Sequence, residues 1–101
     1  MRWTHSTLRP LIGAVLVSLA VAGVAHADCY ADYKAKQDNP LRLHYGVAEV
    51  PDAACSISAA SNAIRPRLAG AGWTLLHVLS VFGPEGLAER KASAGEYFLR
   101  F

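Results

Sequence analysis

A block of fifteen residues, Leu11 to Ala25, apolar except for Ser18, follows a short polar stretch carrying Arg2 and Arg9 and runs into the small-x-small step Ala25-His26-Ala27. That order is the n-region, h-region and cleavage site of an export signal, and it predicts a leader over residues 1–27, cut between Ala27 and Asp28. As an uncleaved anchor the block is short: at ~1.5 Å per residue it covers ~22 Å of a hydrocarbon core roughly 30 Å thick. A lipoprotein signal needs a small residue directly before the cysteine, and Asp28 stands before Cys29 instead. Arg2 and Arg9 are not adjacent, which removes the twin-arginine route. The expected product is exported to the periplasm or secreted and keeps no stable membrane anchor after cleavage.

Removing the leader leaves one domain, residues 28–101, whose core is too small to supply much net stability without a staple. Cys29 and Cys55 are the chain's two cysteines, and in an oxidising compartment they predict a disulfide. On a chain-entropy argument closing that loop contributes roughly 3.5 kcal/mol. The pair lacks the Cys-x-x-Cys spacing of a redox site. Residues 28–101 carry eight basic and eight acidic side chains, so the formal charge of +2 belongs to the leader. No Lys or Arg run remains to track phosphates, and nucleic acid is not an expected partner.

Along the domain, Asp28 to Lys36 reads as a short disulfide-tethered helix with an acidic N-cap and lysines in its last turn, stopped by Asp38-Asn39-Pro40. Leu41 to Val50 alternates and predicts a half-buried strand with Leu41, Leu43, Tyr45 and Val47 inward and Arg42, His44, Gly46 and Ala48 outward. A helix follows from Ser56 or Ser58 to about Ala69. Pro66 either kinks it or lies in the first turn of a later start capped by Asn62. Gly70 and Gly72 supply its C-terminal turn. Trp73 to Phe82 is apolar on both faces and reads as a strand; Leu87 to Ala92 allows a turn or two of helix, ended by Gly95; Glu96 to Phe101 reads as a closing strand. The expected fold is α+β: a small three-stranded mixed sheet with its last strand in the middle (order 1-3-2), antiparallel to both neighbours, and helices on one face.

Catalytic chemistry has no visible set of residues. The serines sit in helix-cap contexts without a Gly-x-Ser-x-Gly elbow, and the carboxylates fall at element ends with nothing to pair two of them. His44 and His77 lack the companion ligands a metal needs, and the phosphate-binding glycine patterns are missing. No enzyme activity, metal or cofactor is expected. What remains is apolar surface: Tyr45, Trp73, Leu76, Val78, Phe82 and Tyr97 are the candidate binding residues, on a sheet face expected to be open to a protein partner or a second copy.

The segment Leu68-Ala69-Gly70-Ala71-Gly72-Trp73-Thr74-Leu75-Leu76, followed by an apolar strand and an aromatic-basic ending, resembles small β-α-β-β domains of unknown function with a Gly-Trp step. That resemblance implies a fold and no agreed activity. The element order is also similar to the sporulation-related peptidoglycan-binding repeat, which implies envelope-polymer binding as an alternative, with Tyr45, Trp73 and Tyr97 as a stacking surface. The whole sequence resembles small uncharacterised exported proteins of alphaproteobacteria.

Overall fold

The computed structural model describes residues 28–101. The expected leader, with the cleavage residue Ala27, lies outside the described residues. The domain is α+β, built on a three-stranded sheet whose middle strand is the segment read above as a helix: β1 (Cys29–Gln37) lies between β2 (Arg42–Val50) and β3 (Thr74–Phe82), antiparallel to both. Ala and Lys favour helix in isolation, but propensity is worth only tenths of a kcal/mol per residue. Cys29, Ala31, Tyr33 and Ala35 alternate with Tyr30, Asp32, Lys34 and Lys36, and only an extended chain sends these two sets to opposite faces. Asp38 to Leu41 then serves as a hairpin turn between β1 and β2, with Asn39 in the left-handed region at φ 63°.

With the central slot filled by β1, the C-terminal segment does not enter the sheet as a strand. The expected closing strand is instead a helical turn at Gly95–Tyr97 followed by an isolated parallel bridge between Val47 and Phe98. The sheet is antiparallel throughout its paired strands rather than mixed, and the gap between β2 and β3 is closed by the first strand instead of the last.

The helices also divide between the faces instead of sharing one. Helix α1 (Ile57–Gly70) starts where Ser56 Oγ accepts a hydrogen bond from the Ala59 amide at 3.1 Å, so Pro66 is interior and the late start at Asn62 is not used. Pro66 and Asn62 are exposed, so water can reach the carbonyl that the proline leaves without a donor. Ala60, Ile64 and Leu68 face the sheet and pack on Cys29, Ala31, Tyr33, Ala35, Ala48, Val50, Leu75 and Val78. The small side chains on this side of β1 and β2 let the helix sit close. The Cys29–Cys55 disulfide ties the start of β1 to the connection entering α1, with the two Cα atoms 5.8 Å apart.

The Gly-Trp step is the end of α1. The Trp73 amide donates to the Leu68 carbonyl at 2.9 Å and the Gly72 amide to that of Ala69 at 3.0 Å, with Gly72 at φ 85°. This paired closure needs a left-handed residue at position 72 and delivers the indole onto Leu68 in the core. On the opposite face, α2 (Ala88–Ala94) packs by Ala94 on a second cluster of Tyr30, Val47, Tyr45, Phe82, Leu87 and Phe98. Its seven residues span about 10 Å against about 30 Å for the nine-residue strands beneath, so it covers only one end of that face.

Candidate functional site

Three features stand out on this scaffold, and each grows from the alternation of β1 and β2. On the α1 face, His44 is buried at 8% exposure, although its place in β2 predicts a solvent-facing residue. Its Nε2 lies 3.0 Å from the Tyr33 hydroxyl. The imidazole is stacked on Tyr97 at 3.7 Å and 12°, meets the Trp73 ring edge-on at 4.3 Å, and has Phe101 6.0 Å away. Tyr33 reaches it by crossing Gly46: a Cβ there would come within 2.6 Å of Tyr33 Cζ, which is why a glycine interrupts β2. Burial holds the imidazole below its usual pKa, opposed by Glu96 and helped by Arg100, and burial pushes Tyr33 up to about 12. His44 Nδ1 is buried without a hydrogen-bond partner among the described residues.

On the α2 face the corresponding feature is a carboxylate. Asp32 Oδ1 accepts from Ser80 Oγ at 2.7 Å, and Oδ2 accepts from the Tyr45 hydroxyl at 2.8 Å and from Arg90 Nε at 3.2 Å. Burial alone would raise the Asp32 pKa, but these donors and the Arg90 charge outweigh it and hold the carboxyl below its ordinary value. Arg90 also donates to the Gly86 carbonyl at 2.7 Å and lies 3.9 Å above the Phe82 ring. Every oxygen of Asp32 is satisfied within the fold. The cluster therefore fastens α2 to the sheet and offers no free group for chemistry.

The uncovered end of the same face is the third feature. A groove of about 230 Å³ is lined by Lys34, Ala35, Leu43, His44, Tyr45 and Leu76. Leu43 is 65% exposed, Leu41 64% and Leu76 45%. Leu41 and Leu43, expected to point into the core, are open because α2 stops short of them. Leu76 and Leu79 are the residues skipped where the β1–β3 register shifts, and both are exposed at the edge of the sheet. A second cleft, about 330 Å³, lies at the other end of β2 between Asp28, Glu49, Asp52, Arg67, Leu99 and Phe101, with Arg67 donating to the Glu49 and Phe101 carbonyls at 2.8 and 3.2 Å.

The expected binding residues are thus dispersed. Trp73 and Val78 are in the core under α1, Tyr45 and Phe82 belong to the second face, Leu76 is exposed, and Tyr97 seals the His44 cluster. Trp73 and Tyr97 do meet, at 5.7 Å, but against each other and His44; Tyr45 lies on the far side of the sheet. His44 and His77 are also on opposite faces, since His77 pairs with Lys34 and His44 with Ala35. The reading of the residues missed Asp32, Arg90 and Leu43. Gly46 inside an alternating strand was the available sign of a close approach beside His44, and nothing local marks Asp32 as the partner of a residue 58 positions away. No family model, curated protein or solved structure matches this chain.

Proposed function

We propose that this chain is an exported, disulfide-closed interaction module of the periplasm or extracellular space, without catalytic chemistry, that docks a protein partner through the open end of its second sheet face. The observation that carries this reading is the pair Leu43 and Leu76, 65% and 45% exposed, which line one groove, with Leu41, 64% exposed, two residues before Leu43. Lys34 rims the groove and makes no ion pair among the described residues, which suits a partner with an acidic residue beside an apolar anchor. The alternative, envelope polymer stacked on Tyr45, Trp73 and Tyr97, has less support because these rings do not share a surface.

Two measurements test the proposal. The intact mass of the protein recovered from the cell envelope should correspond to cleavage after Ala27 and should rise by two hydrogens on reduction; a full-length or already reduced mass removes the export reading. Light scattering and crosslinking in envelope extracts should then give a defined adduct with the wild type that Leu43→Lys and Leu76→Lys abolish without lowering the unfolding midpoint. A monomer that captures nothing, or an adduct indifferent to both substitutions, rejects the docking surface.

A further inference from the structure

The C-terminal segment from Gly95 to Phe101 is a strap over the edge of the sheet. It sends Tyr97 and Phe101 to the His44 cluster on one face and Phe98 to the Tyr30–Val47 cluster on the other. Its backbone attachment is slight beside the nine-residue ladders of the strands: the Leu99 amide donates to the Val47 carbonyl at 2.8 Å, and Arg67 reaches the Phe101 carbonyl at 3.2 Å. Leu99 is held at φ 59°, a left-handed conformation unfavourable for a leucine, so the closed strap stores backbone strain. Its tightest aromatic contact is the Tyr97 ring stacked on His44, the centroids 3.7 Å apart.

We propose that this strap is an acid-released latch: protonation of His44 breaks the seat of Tyr97 and Phe101, and the strap lifts to uncover the Tyr33–Trp73 floor and the outer edge of β2. Neutral His44 pairs Nε2 with the Tyr33 hydroxyl and leaves Nδ1 without a partner, a cost kept small because the ring carries no charge. The imidazolium has two N–H donors. Tyr33 remains a neutral phenol and can accept one of them, which leaves Nδ1–H buried without an acceptor. The charged groups around the ring do not compensate. Arg42 lies over Trp73 at 5.8 Å, Arg100 over Tyr97 at 5.7 Å, and Arg67 is bonded to the strap from α1; Glu96 is the facing carboxylate, and Arg100 already engages it at 3.5 Å. Stacking of the cation on Tyr97 recovers part of the loss. The remainder is relieved by bringing water to Nδ1. Lifting the strap does that while leaving the ladders and the disulfide intact.

The strap and its aromatic seat lie across the sheet from the side chains of Leu43 and Leu76; His44 also lines that groove, but hydrogen exchange at Leu99 reads the strap without any partner present, so the two proposals are tested separately. Amide hydrogen exchange on the full chain, corrected for intrinsic rates, tests the latch. Between about pH 7.5 and pH 5, the protection of the Leu99 amide should fall while that of Tyr33 in β1 holds, by about tenfold for each pH unit between the released-histidine value of about 6.5 and the lower value that burial imposes in the closed strap. In His44→Gln, which stays neutral, the Leu99 protection should be flat across the same range. Flat protection in the wild type, or an equal fall in His44→Gln, overturns the proposal. Should that variant not fold, Tyr97→Ala provides the second reading: Leu99 protection is low at both pH values and the His44 titration moves up toward about 6.5. An unmoved His44 titration in Tyr97→Ala rejects the latch.

Discussion

The two faces of the sheet solve the same problem with opposite chemistry. Under α1 a long helix buries small and aromatic side chains, and the His44 imidazole, paired with the Tyr33 hydroxyl, is kept neutral among rings. Under α2 a seven-residue helix buries too little to hold itself in place and is fastened by a charge, Asp32, satisfied by Ser80, Tyr45 and Arg90. A short helix needs such a fastener because isolated helices of this length are not stable. It also leaves the other end of its face uncovered, where Leu43 and Leu76 are exposed, and that end is the surface proposed above for docking.

The difference between the faces can be attacked in order of expected effect. Replacing Cys29 and Cys55 by Ala removes the staple of the α1 face and should cost about 3.5 kcal/mol, read from urea unfolding. Asp32→Ala strands Arg90, Tyr45 and Ser80 and should cost about 3 kcal/mol, with loss of α2 packing visible in the near-ultraviolet dichroism. A drop confined to the α1 face would contradict the role given to Asp32. Gly46→Ala pushes against Tyr33 and should cost about 2 kcal/mol while shifting the His44 resonances; unchanged stability would mean that the Tyr33 ring moves aside freely.

Acid separates the two faces without mutation. His44 is held below its ordinary pKa, so the unfolded chain takes up the proton first; its contribution is complete above about pH 6.5 and declines as pH falls toward its folded value. Asp32 is also lowered, but as an acid; its contribution is complete above about pH 3.9 and disappears as pH falls through its folded value. Unfolding midpoints measured against pH should therefore show two descending steps, the upper missing in His44→Gln and the lower missing in Asp32→Ala. A single step that survives both substitutions would remove the distinction. The smallest effect on stability is expected from Leu43→Lys, within about 0.5 kcal/mol, because the side chain is already in water; the same substitution should abolish docking.

Much of the local structure was legible from residue patterns. The strand over residues 42–50, the Gly72 closure that seats Trp73 and the stop at Gly95 are short-range effects of backbone geometry, and the structure has each of them; among Ser56, Ser58 and Asn62 as the helix cap, it uses Ser56. The pairing of Cys29 with Cys55 is in the same class, since two cysteines allow one bridge. The segment 29–37 was not legible, because its helix-favouring composition and its strand-like alternation conflict, and burial on both faces settles the matter. The candidate sites were less legible still. Whether His44 or Leu43 faces the core depends on which side of β2 receives the longer helix, and both sides of that strand alternate equally well.

By itself, the sequence determined one possible disulfide and most of the turns and caps, because each depends on groups a few positions apart or on a pairing without alternatives. Tertiary structure alone decided which segment became the central strand, which face each helix took, and that Asp32 meets Arg90 while His44 meets Tyr97. Those outcomes rest on contacts between distant residues, each worth more once the others have formed. No local window contains the competition among segments for a single buried slot.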